Sequence, residues 1–130
     1  MNNLKENSKI AANWWRQKID SVDKSNFDNG EPSIAIAMMI GTRMQMEKLD
    51  TEVLDRFEKL LEKAIYKELK HNGYLDTIVS CDYHPEGVLK DISRELGIRE
   101  IYFPIKTVMW ISPQGVKVRA GYSAEVVTLC

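Results

Sequence analysis

Cysteine is scarce. Cys81 and Cys130 are the only two in 130 residues, too few for a disulfide framework, so a reduced, cytoplasmic chain is the expectation. Long apolar runs are missing too. The longest, Ile34 to Ile40, has seven residues, against the roughly 20 that span a bilayer, so no membrane partner is expected. The first nine residues, MNNLKENSK, lack the apolar core and small-residue cleavage site of a secretory signal. Nor is there a surplus of one charge. A net charge of −1 argues against a bulk nucleic-acid binder. No Gly-rich phosphate loop, oxyanion-hole motif, internal repeat or low-complexity segment interrupts the chain. Each absence removes a ready-made function.

What remains is ordinary globular material, 44% hydrophobic and 28% charged, enough for one domain over residues 1–130. The reading is α+β: a helical part of three helices over residues 1–73, packed on a small antiparallel sheet with one further helix over 74–130. In the first helix, residues 4–22, Ala11, Trp14, Trp15, Ile19 and Val22 share one face of a 3.6-residue period. Adjacent tryptophans anchor such a face against a neighbour. Residues 25–31, SNFDNGE, read as a loop. Pro32 opens a second helix to about Met46, where its missing N–H costs nothing. From Ile34 to Ile40 that helix is apolar all round, more than one small domain can enclose, and self-association is the expectation. Arg43 stands one turn beyond. Asp50 caps a third helix, whose stripe of Leu54, Phe57, Leu60, Leu61, Ala64, Ile65 and Leu69 marks a scaffold about 31 Å long over residues 51–71.

The stretch YLDTIVSCDYHPEGVLKDISRELG, residues 74–97, reads as a strand around Ile78 and Val79, a corner over residues 82–87, and a short helix that Gly97 stops. Residues 101–103 read as a short edge strand ended by Pro104. Residues 105–111 and 116–122 pair as a hairpin about Ser112-Pro113-Gln114-Gly115. Setting Ile111 against Val116 pairs Met109 with Val118, Thr107 with Ala120 and Ile105 with Tyr122, one coherent apolar face. The opposite face then carries Lys106, Val108 and Trp110 across from Gly121, Arg119 and Lys117. Residues 124–129 read as a last strand. Over residues 101–130 three cations stand against the single carboxylate of Glu125.

Three chemistries compete for these residues. Cys81 and His84 are spaced like metal ligands, but zinc needs three or four and too few partners remain; no metal or other cofactor is expected. Asp82 with His84 or Glu86, or Cys81 with His84, has the makings of a small enzyme acting on a nucleotide or phosphorylated metabolite, yet no supporting motif accompanies either pair. The third is a pocket for a small anionic, base-containing ligand. Tyr83 and Asp82 would meet the base, with the helix start, Lys106 and Arg119 available to phosphate. A protein-interaction module, using the apolar helix as its partner surface, is the remaining alternative.

The strings CDYHPEGVL at 81–89, FPIKTVMWI at 103–111 and VKVRAGYSAE at 116–125 resemble the phage Thoeris anti-defence sponges of the first described type. About 40% of the chain carries the likeness. It implies a non-enzymatic protein that sequesters a cyclic ADP-ribose isomer in the host cytoplasm and so silences an anti-phage defence. It further implies a homo-oligomer, a hexamer in that family, with pockets between subunits. On this likeness Tyr83 or Phe103 would be the stacking ring, Arg43 and Arg119 the phosphate partners, and Asp82 a contact to base or ribose. His84 and Lys106 belong to the same candidate site. Tyr83 stands where the family would use phenylalanine.

Overall fold

The structure, a computed structural model, describes residues 4–20, 48–72, 77–121 and 124–130. The helix expected over residues 32–46, and Arg43 with it, lies outside the described residues, as does Tyr122. What is described is an α+β fold. Helices α1 (Leu4–Asp20), α2 (Thr51–Asn72) and α3 (Val88–Leu96) accompany strands β1 (Thr77–Cys81), β2 (Thr107–Ser112), β3 (Gly115–Ala120) and β4 (Val127–Thr128). The strands form one sheet in chain order, every pair antiparallel. No described helix is long and apolar enough to cross a membrane.

The two long helices pack along their apolar stripes. Ala11, Ala12, Trp15 and Ile19 of α1 are buried with Leu54, Phe57, Leu61, Ile65 and Leu69 of α2, each large side chain contributing about 1.5–3 kcal/mol by leaving water. On the seam's flank, Arg16 reaches Asp55 and Glu58 at 2.7 Å each. Asp50 immediately precedes α2 and its carbonyl accepts the first helical N–H, from Leu54, at 3.0 Å, the position of a cap residue. The start of α1 is tied to the sheet by Asn7, whose Nδ2 donates to the Ser112 carbonyl at 2.7 Å.

The sheet closes the core with one face. Thr77, Val79 and Cys81 of β1, Thr107, Met109 and Ile111 of β2, and Val116 and Val118 of β3 are all buried. The hairpin has the expected register: Ile111 opposes Val116, Met109 opposes Val118 and Thr107 opposes Ala120. Because side chains alternate with period two, the intervening residues point to the sheet's other face.

Two expectations need correction. Residues 101–103 form no edge strand; Glu100–Tyr102 is a 3-10 turn, with Tyr102 N–H donating to Arg99 at 3.1 Å and Phe103 N–H to Glu100 at 3.0 Å. Tyr102, Phe103, Pro104 and Ile105 are consecutive buried residues, a pattern that the alternating faces of a half-buried strand cannot supply. The last strand is shorter than residues 124–129. Only Val127 and Thr128 pair with β3, followed by a bond from Leu129 N–H to the Val116 carbonyl at 2.8 Å.

Candidate functional site

The sheet's second face is set by register. Ile78, Trp110 and Lys117 form one row across β1, β2 and β3; Ser80, Val108 and Arg119 form the next. Neighbours within a row lie about 5 Å apart, and diagonal ones about 7–8 Å. A third row continues just past the strands. Lys106 N–H donates to the Asp82 carbonyl at 2.6 Å, and the Lys106 carbonyl accepts from Gly121 N–H at 2.8 Å. Asp82, Lys106 and Arg119, from three separate segments, therefore border the same apolar residue, Val108.

Lys106 is held there at a cost. Its φ is 56°, the only positive φ of a non-glycine residue among those described. The left-handed region costs an L-residue about 1–2 kcal/mol, and such strain persists where surrounding structure over-determines it. The two backbone bonds do so here, locking the ends of β1 and β3 to the start of β2. Lys106→Gly should consequently raise the melting temperature by about 3 °C, since glycine accepts this φ freely. The same change removes a cation from the face. Calorimetry showing a lowered melting temperature would mean that the lysine stem packs more favourably than its backbone is strained.

The corner after β1 supplies the opposite wall. It folds back on the strand, Cys81 bridging to Pro85 and Glu86 N–H donating to the Ser80 carbonyl at 3.2 Å. That return sets Glu86 beside Ser80, whose Oγ donates to Glu86 Oε1 at 2.9 Å. Between the walls lies a cleft of about 250 Å³, lined among others by Ile78, Ser80, Asp82, Glu86, Lys106 and Val108. Its size suits one ring and its substituents rather than a whole nucleotide.

On the far side of the corner is a second cleft of about 490 Å³, which shares Glu86 and adds His84, Gly87, Lys90, Arg94 and Glu100. It lies at the start of α3, and His84 Nδ1 is 2.7 Å from Glu100 Oε2. A third, open hollow of about 850 Å³ is lined by Ala64, Lys67, Glu68, Lys70 and His71 of α2. No other described element contributes a converging group to it.

The expected site residues separate accordingly. Asp82 and Lys106 line the first cleft, and Arg119 stands one strand beyond, opposite Val108. His84 lines the second cleft, apart from Asp82. Tyr83 is 44% exposed at the corner and is absent from the walls of both clefts. Phe103 is 0% exposed, its ring 5.9 Å from that of Phe57; it belongs to the core and offers no stacking face. Ser80, which the sequence reading does not single out, also lines the first cleft. Alternation from the buried Val79 would have found Ser80, whereas the fold-back that brings Glu86 to it has no signature in spacing alone. The Arg119 Nε is inaccessible and without a hydrogen-bond partner among the described residues.

Compared with protein-family models and with curated proteins, the chain matches none.

Proposed function

We propose that this chain is a non-enzymatic binding protein that captures a small, anionic, nucleotide-derived ligand, a cyclic ADP-ribose isomer, and by sequestering it silences an anti-phage defence in the host cytoplasm. One observation carries the reading: Asp82 and Lys106 line one cleft with Val108, and the register sets Arg119 opposite Val108 on the neighbouring strand, with Trp110 in the adjoining row. Phosphate is matched by two cations, and a base or ribose by a carboxylate beside apolar surface. The choice of this ligand over other nucleotides comes from the sequence resemblance.

Capture rather than turnover is taken from the resemblance; of the candidate acid–base pairs, Asp82 with His84 is divided between two clefts while Asp82 and Glu86 share one. Glu100 engages the imidazole. A homo-oligomer, a hexamer by the same resemblance, would let a second copy complete a cleft too small for a nucleotide, with Arg43 as a phosphate partner. The test is incubation with synthetic cyclic ADP-ribose isomers, removal of free ligand, heat denaturation and chromatography of what is released. Release of an isomer unchanged is the expected result. Recovery of a converted product would make the chain an enzyme. Failure to retain any isomer would leave a protein-interaction module.

A further inference from the structure

The first cleft has walls of opposite charge, and that restricts what can occupy it. A bare phosphate would be drawn to Lys106 but repelled by Asp82 and Glu86, which stand in the same cleft. Ionised carboxylates only accept hydrogen bonds, so the part of a ligand facing them must donate. Glu86 is already oriented for this. Its Oε1 is anchored by Ser80 Oγ at 2.9 Å, and its backbone N–H is fixed to the Ser80 carbonyl at 3.2 Å. With the Ser80 proton engaged by Glu86, the hydroxyl oxygen is also left to accept. Two neighbouring acceptors on one wall match two neighbouring hydroxyls, the vicinal diol of a ribose. The volume of about 250 Å³ is ample for a furanose with its hydroxyls.

We infer that this cleft is a ribose subsite in which Glu86, held by Ser80, reads a free 2′,3′-diol while Lys106 receives the phosphate attached to the same sugar. The inference rests on the proposed nucleotide binding and deepens it. It names the sugar as the part of the ligand that the corner selects. An exocyclic amine of a base is the other donor chemistry that a carboxylate accepts, and the experiment separates the two.

Calorimetric titrations of the full chain with ADP, 2′-deoxy-ADP and inosine diphosphate provide the test. ADP and inosine diphosphate should bind within about twofold of each other. The deoxy compound should bind about tenfold more weakly, the worth of a hydrogen bond to a charged group. In Glu86→Gln, which keeps the side-chain volume, the gap between ADP and 2′-deoxy-ADP should shrink to about twofold or threefold. Equal binding of ADP and 2′-deoxy-ADP, a preference for ADP over inosine diphosphate that exceeds the deoxy effect, an unchanged gap in the variant, or no binding of ADP overturns the ribose subsite. Retention of cyclic ADP-ribose isomers in any of those cases leaves the proposed capture standing. Loss of every nucleotide, cyclic or linear, ends both.

Discussion

Phe103→Ala is expected to lower the stability of the fold by about 3–5 kcal/mol, the usual cost of emptying a site filled by a buried aromatic ring. Against a total of about 5–15 kcal/mol for a domain, that is enough to leave a substantial unfolded fraction near body temperature. The ring is fully buried, tilted at 58° against Phe57 of α2. It thereby ties the scaffold helix to the segment that leads, three residues later, to the strained Lys106. Loss of the ring should loosen the cleft as well as the core. Phe103→Leu separates the two effects. It keeps most of the apolar volume and should cost about 1.5 kcal/mol or less in urea denaturation, with ligand retention unchanged in the folded protein. Full stability combined with lost retention in Phe103→Leu would put the ring in a ligand site after all.

That residue also shows what could be read from the sequence. An aromatic at the edge of a short apolar run looks the same whether it faces solvent or core, since composition carries no direction. Direction is supplied by the 3-10 turn at Glu100–Tyr102, which rotates Phe103 inward and has no strong sequence signal. Where periodicity extends over many residues, direction is legible. The stripe on α2 from Leu54 to Leu69 is buried as the spacing requires, although Leu60 and Ala64, nearer its margin, stay partly exposed. Likewise the turn at Pro113-Gln114 sets one hairpin register, and alternation along β3 places Lys117 and Arg119 on the face opposite Val116 and Val118. The candidate site was therefore half visible. Its β2–β3 side follows from period-two alternation in a paired hairpin. Its other side depends on the corner's return along β1, fixed by the Cys81–Pro85 bridge and the Glu86 backbone bond. Those contacts are close in sequence but follow no residue periodicity, and the sequence presented Asp82, Tyr83 and His84 as one cluster when the turn sends His84 to a different cleft.

Arg119→Ala should reduce ligand affinity by about 100-fold, the equivalent of nearly 3 kcal/mol, while leaving the melting temperature and the assembly state almost unchanged. The reason for so uneven an effect lies in how the side chain is held. Arg119 is partly buried opposite Val108, and its Nε has neither accessible surface nor a hydrogen-bond partner among the described residues. Removing an unsatisfied donor from such a position sacrifices no bond seen there, so the lost packing of its stem is at least partly offset. Binding is different. A phosphate accepts two parallel bonds from a guanidinium, stronger and more directional than those of an ammonium. Arg119→Lys should accordingly recover only part of the affinity, because charge is restored without the fork. Salt provides an independent check, since long-range attraction between exposed charges is screened over about 8 Å at physiological ionic strength. The wild-type affinity should fall as salt is raised, and the slope should flatten in Arg119→Ala. Identical affinities and identical salt slopes for the two proteins would remove the hairpin from the binding face, and with it the convergence of Asp82, Lys106 and Arg119 on which capture of a phosphorylated ligand depends.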